Sequence, residues 1–155
     1  QPNLAATIVK ILRETELEPS LLELEINMDI LMQNVDFAKV IIQQLREIGV
    51  NIAVDDFGSG FSNFSYNSLK ELSLNTLKID QSFVQQLQDE AQDLAIVSAI
   101  VTIGRGFNLR IIAEGVGTQE QFGLLRNLDC EEMQGNWFSR PLPAEEAIKF
   151  LPSEE

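Results

Sequence analysis

Histidine is missing from this 155-residue chain, and cysteine occurs once, as Cys130. No imidazole can therefore serve as a base or a metal ligand. A lone thiol also excludes an intrachain disulfide and a cysteine metal cluster, which leaves Cys130 as a small buried hydrophobe. Basic residues are scarce: eleven lysines and arginines face twenty-four aspartates and glutamates, a net charge of −13. Duplex DNA and anionic membranes both select for a basic face, so neither is an expected partner. An anionic ligand would need metal ions to offset the acidic side chains. No apolar run approaches a membrane span, and residues from Gln1 onward show neither a basic n-region nor an apolar signal core. The expectation is a cytoplasmic protein, or the cytoplasmic part of a larger one, without direct membrane insertion. Low-complexity tracts are absent as well. The apolar and charged fractions, 45% and 23%, are those of one ordinary globular domain.

Periodicity supplies the elements. Leu4 to Glu16 is expected to be an amphipathic helix with Leu4, Ile8, Ile11 and Leu12 on one face. Leu21 to Ile26 alternates, with Leu22, Leu24 and Ile26 opposite Glu23 and Glu25, as in a strand beneath helices. A helix from Asp36 to Ile48, bearing Phe37, Val40, Ile41, Leu45 and Ile48 on one face, stops at Gly49. A strand at Val50 to Val54, a helix at Ser62 to Leu72 and a strand at Thr76 to Ile79 follow. A long apolar helix, Ala91 to Gly106, precedes a strand at Leu109 to Ala113. Thr118 and Gln121 have capping-box spacing for a helix ending near Asn127. A weaker strand at Glu131 to Gly135 and a helix from Ala144 to Leu151 complete one unit over 1–151, with a tail at 152–155. Five strands alternating with helices predict a parallel α/β sheet.

Function in such a sheet belongs at the carboxyl ends of the strands, which a parallel barrel gathers on one rim. There stand Glu25, Asp55, Lys78 and Glu114, with Gln134 ending the weak fifth strand. Asp55 and Asp56 are adjacent and lead into a glycine turn at Gly58 and Gly60. Two such carboxylates suit a hard divalent ion with oxygen ligands, and equally a solvated acidic turn. Their company on one rim favours the cation.

Five stretches, in order, carry a resemblance. They are Leu22 to Ile26 with Glu25, Val54 to Ser62, Leu77 to Asp80, Ala113 to Val116, and Gln134-Gly135 followed by Phe138 to Pro143. Together they resemble the EAL-type cyclic di-GMP phosphodiesterases over nearly the whole chain. The resemblance implies a TIM-type (β/α) barrel, of which this chain would supply about five strands. It also implies hydrolysis of cyclic di-GMP to linear pGpG with Mg²⁺ or Mn²⁺. Glu25, Asp55, Asp56 and Glu114 would be metal ligands, and Lys78 and Glu114 would act catalytically, Lys78 by holding the attacking water. Gln134, Arg140 and Pro141 would contact the substrate. Sensory or GGDEF-type domains upstream are partners consistent with the family.

Departures accompany the match. The Glu-Ala-Leu signature and the family's following asparagine would lie upstream of Gln1, so the chain is expected to be the carboxyl-terminal part of such a domain, inactive alone and prone to self-association. Met28 and Gly117 stand where the family usually has glutamates, and methionine cannot accept the hydrogen bonds of the glycine loop. This favours a second reading, a degenerate domain binding cyclic di-GMP or a protein without hydrolysis. A receiver-like signalling domain also places an acidic pair and a lysine around Mg²⁺. Its pair follows the first strand, however, and here the pair follows the second.

Overall fold

A computed structural model describes residues 3–58, 70–87 and 91–150. The expected helix at Ser62 to Leu72 lies mostly outside these residues, of which 70–72 are helical; Gly60, Leu151 and the tail also lie outside. The described elements are α1 (Leu4–Thr15), a 3-10 turn (Pro19–Leu21), β1 (Glu23–Asn27), α2 (Met28–Gln33), α3 (Val35–Ile48), β2 (Asn51–Phe57), β3 (Thr76–Ile79), α4 (Gln81–Gln86), α5 (Ala91–Gly106), β4 (Arg110–Ala113), α6 (Gln119–Asn127), β5 (Glu132–Met133), α7 (Ala144–Ala147) and a 3-10 turn (Ile148–Phe150).

The strands form one sheet in the order β1-β2-β3-β4-β5, every neighbouring pair parallel. Sequential neighbours joined by helical crossovers produce an α/β layer whose strand ends all point one way. Leu22, Leu24 and Ile26 pack against the core, as their alternation with Glu23 and Glu25 requires. β2 and β3 lie centrally: Ile52, Ala53, Val54, Leu77 and Ile79 are fully buried. α5 packs on β3 and β4, with Val97, Ile100 and Val101 buried.

Several details depart from periodicity. Leu4 and Ile11 of α1 are exposed, and Ile8 and Leu12 alone of the expected face are buried. On α3 the buried positions are Ile42 and Leu45, flanked by Ile41 and Ile48, while Phe37 and Val40 are exposed. Each apolar stripe is wider than the contact the helix makes. The fifth strand shortens to Glu132–Met133, yet its ladder continues: Gln134 N–H donates to Ala113 O at 2.8 Å and Val116 N–H to Gln134 O at 3.1 Å. Two short helices, α2 and α4, were not expected. Each starts at a strand end where a side chain caps it: Asn27 accepts from the N–H of Asp29 and Ile30, and Asp80 from that of Ser82.

Candidate functional site

Alternation along the strands turns Glu25, Asp55, Lys78 and Glu114 to the same side at the carboxyl rim. Lys78 is their centre. Its Nζ lies 2.6 Å from Glu25 Oε1, 2.6 Å from Glu114 Oε1 and 4.0 Å from Asp55 Oδ1. The lysine is 5% exposed, whereas the Glu25 side chain at the sheet's edge is 51% exposed. Burial pulls the Lys78 pKa down, but the hydrogen bonds to Glu114 and Glu25 and the charges of Glu114 and Asp55 outweigh it, leaving it above the ordinary lysine value. Burial raises Glu114. Its bond to Lys78 opposes the rise, and neighbouring Asp55 adds to it, for a net upward shift.

Asp56 belongs to a second cluster. Between β2 and β3 the register slips, with Val54 opposite Leu77 but Phe57 opposite Ile79, so β2 carries one extra residue. Asp56 takes the left-handed region, φ 55°, and Gly58 follows at φ 112°. A non-glycine residue there costs on the order of 1 kcal/mol and re-aims its side chain. Its carboxylate accepts from Asn27 Nδ2 at 2.5 Å and shares a hydrogen bond with the Asp80 carboxyl. Burial, then the bond to Asp80 and the charge of Asp55, raise Asp56; burial pushes Asp80 up as well, but bonds from Ser82 and Asp56 leave it lowered. Within the pair the shift is upward for Asp56 and downward for Asp80. Asn27 and Asp80 were not among the expected site residues. The signals were present as cap spacings, Asn27 before Asp29 and Asp80 before Ser82.

One rung below, a second polar layer faces the same side. Arg110 holds Glu132 through Nε and Nη2 at 2.9 and 2.6 Å and reaches Glu23 Oε2 at 3.4 Å, which also accepts from Thr76 Oγ1 at 2.6 Å. The layer ties β1, β3, β4 and β5 across the sheet beneath the lysine centre.

Above the rim opens a cavity of about 380 Å³. Asp56 and Glu114 line it, as do Gln81, Gln85, Gln134 and Asn136. Gln134 thus stands on the cavity with the acidic groups. Arg140 and Pro141 are exposed and do not line it. Met28, at the first position of α2, is buried, and Gly117 N–H donates to Gln121 Oε1 at 2.8 Å.

The carboxylates offer only oxygen as ligand atoms, which suits a hard divalent cation and not a soft metal. Among the described residues no three acids already form a metal cage. The Lys78 ammonium instead supplies the positive charge between Glu25, Asp55 and Glu114.

A sequence model described as the EAL domain matches residues 1–141. The bifunctional diguanylate cyclase/cyclic di-GMP phosphodiesterase MucR of Pseudomonas aeruginosa is 46% identical over 132 residues, covering 85% of this chain and 19% of that protein. The solved PaMucR phosphodiesterase, a c-di-GMP complex, superposes with a TM-score of 0.89 at 43% identity, covering 94% of this chain and 58% of that one. Klebsiella pneumoniae BlrP1 in its manganese and cy-diGMP complex gives a TM-score of 0.84 at 26% identity, covering 91% and 36%. The five-stranded parallel sheet is thus of the TIM-barrel class these domains share. The chain spans about a fifth of the length of the curated relatives it matches.

Proposed function

The chain belongs to the EAL domain family, and on that premise we propose that it carries the acidic, lysine-centred part of a metal-dependent site that hydrolyses cyclic di-GMP to pGpG. The observation that carries this reading is Lys78 between Glu25, Glu114 and Asp55. An ammonium ion buried among carboxylates contributes little net stability, since desolvation offsets most of the attraction. Its bond to Glu114, which lines the cavity, supports a functional use.

In this reading Glu25, Asp55, Asp56 and Glu114 hold Mg²⁺ or Mn²⁺. Such ions supply a low-pKa water and offset the charge of the phosphodiester. The chain's own groups do the rest. Lys78 directs its ammonium protons toward the attacking water's oxygen, and Glu114 and Glu25 fix its orientation. The bulge re-aims Asp56 so that it lines the cavity, while Asp55 faces Lys78. Water adds to phosphorus and gives up one proton, the bond to the ribose oxygen breaks, and that oxygen takes one proton, so that water is the only reactant consumed besides the cyclic dinucleotide.

The isolated chain is proposed to bind cyclic di-GMP without turning it over, and to self-associate. Glu25 lies half exposed at the β1 edge, where no described residue walls the site. In-line attack requires its groups held within about half an ångström. A second reading, binding without hydrolysis even in a longer protein, is favoured by Met28: buried, it offers the neighbouring loop no carboxylate. The test is a titration of cyclic di-GMP with Mn²⁺, followed by product analysis. Binding that depends on Mn²⁺, with no pGpG above a buffer control, is expected of the chain. Absence of binding contradicts the family activity for this chain. Release of pGpG abolished by Asp55→Asn contradicts its inactivity alone. Hydrolysis by a longer protein containing this chain decides against the second reading.

A further inference from the structure

Asn51, Ala53 and Asp55 of β2 lie on the inner, polar side of the sheet, two apart as strand alternation requires, with Asp55 meeting Lys78. Ile52 and Val54 face the other way and belong to the apolar core. Ala53 is fully buried, yet it is not part of that core. Its cover therefore comes from the polar side chains of the inner face.

Those side chains belong to strands that are not neighbours. β2 lies between β1 and β3, so two strand spacings, about 9.6 Å, separate their backbones. Two bonds nevertheless span the gap: Glu23 Oε2 accepts from Thr76 Oγ1 at 2.6 Å, and Glu25 Oε1 from Lys78 Nζ at 2.6 Å. Ala53 stands opposite Glu25 on one side and Thr76 on the other, so both bonds pass over β2 beside it. The other two inner positions leave them room. Asn51 turns its amide to Ser20 O at 2.8 Å, and Asp55 joins Lys78 itself. A longer or branched side chain at 53 would stand where the glutamates lie, and a packed interior yields little space.

We propose that Ala53 is a positioning residue: its methyl group keeps clear the path over β2 by which Glu25 reaches Lys78, and β2 thereby sets, through Glu25, the direction of the Lys78 ammonium group. This rests on the reading of Lys78 above and deepens it, since there the ammonium protons point at the attacking water. Glu25 is the partner that depends on the path. Glu114 follows β4, which pairs directly with β3, so its bond to Lys78 crosses no strand. Glu25 is also the most exposed of the three carboxylates, at 51% against 28% for Asp55 and 21% for Glu114. It is the one free to swing into solvent when the path closes.

The test reads Lys78 directly, by the exchange of its ammonium protons with water in NMR of the metal-free chain carrying isotope-labelled lysine; Lys78→Met identifies the signal. An ammonium group that is nearly buried and held by two carboxylates exchanges slowly. Losing one charge-assisted hydrogen bond speeds exchange by about tenfold or more. That rise is expected of Glu25→Ala and of Ala53→Val, whereas Ala53→Gly, which keeps the path clear, should retain the wild-type rate. Ala53→Val combined with Glu25→Ala should exchange no faster than Glu25→Ala alone, because both remove the same bond. A merely structural role for Ala53 would add the two effects instead. Thermal melting confirms folding. Should Ala53→Val not fold, Ala53→Cys, one heavy atom larger than alanine, is read in its place, and a rate raised at least about threefold is expected. A wild-type rate in the larger variants, or additive effects in the double variant, overturns the proposal and leaves the phosphodiesterase reading standing. Failure of that reading shows separately, as absence of cyclic di-GMP binding in Mn²⁺, and would remove the use of the lysine's direction without changing these exchange rates.

Discussion

Asn27 Nδ2 donates to Asp56 Oδ2 at 2.5 Å while Asn27 Oδ1 accepts from the N–H of Asp29 at 2.9 Å and of Ile30 at 3.4 Å. One amide thus caps α2 and holds the carboxylate that the β2 bulge has turned aside. An aspartate could cap but could not donate, and it would add a third carboxylate to Asp56 and Asp80. Asn27→Ala is expected to cost about 1 kcal/mol through the lost cap, lowering Tm by roughly 2–4 °C for a chain of this size. Asn27→Asp should keep the cap yet lower Tm at pH 7 and recover as the pH falls and carboxylates protonate. Thermal melts of the two variants at pH 7 and pH 5 are the check, and a pH-independent Asn27→Asp would refute the donor role.

Lys78 supplies the positive charge among Glu25, Asp55 and Glu114. Lys78→Met should leave those carboxylates facing one another. Because Glu25 is half exposed, the loss should be about 2 kcal/mol, below the 3–5 kcal/mol of a fully buried pair. Added Mg²⁺ should then stabilise the variant more than the wild type. Urea unfolding with and without Mg²⁺ measures both, and equal responses would count against a shared cation position.

How far the sequence reached can be seen residue by residue. Leu22, Leu24 and Ile26 opposite Glu23 and Glu25 needed only the two-residue period of a strand, and the structure agrees. Glu25, Lys78 and Glu114 were legible because each ends an apolar run, and parallel strands bring such ends together. Asp55 and Asp56 looked like one acidic pair. Their separation depends on the register slip opposite Leu77 and Ile79, a property of two strands that neither shows alone. Asp80 was hidden for a related reason: read as the end of a strand motif, it is also the cap of a six-residue helix too short for periodicity to reveal. Gln81, Gln85 and Asn136 carry no charge and no motif spacing, so only the cavity they line draws attention to them.

Burial raises the Cys130 thiol from 9.0 to about 11, against weaker opposing backbone hydrogen bonds from Ala113 and Glu132. A thiol whose folded pKa is raised contributes stability fully present below the unfolded value and lost as pH rises through the folded one. Between pH 9 and pH 11 the wild type should therefore lose more stability than Cys130→Ala, which shares every other titration. At pH 8 a thiol reagent should react slowly with native protein and rapidly in denaturant. Fast native labelling would contradict the buried placement.

β1 and β5 are the edges of the described sheet, and each presents backbone groups without a neighbouring strand among the described residues. Such edges favour pairing with a second chain. Light scattering after size exclusion at micromolar concentration is expected to show a dimer or larger species. A monomer with cooperative unfolding and no dye-binding apolar surface would show that five strands suffice.

The central claim is that Glu25, Asp55, Asp56 and Glu114 form a divalent-cation site and are not merely a solvated acidic turn. Calorimetric titration of Mn²⁺ into the wild-type chain and into Asp55→Asn/Asp56→Asn at pH 7.5 tests it most directly. A saturable heat for the wild type, weakened at least about tenfold in the variant and falling with pH as carboxylates protonate, is the predicted result. Equal heats for both proteins would contradict it.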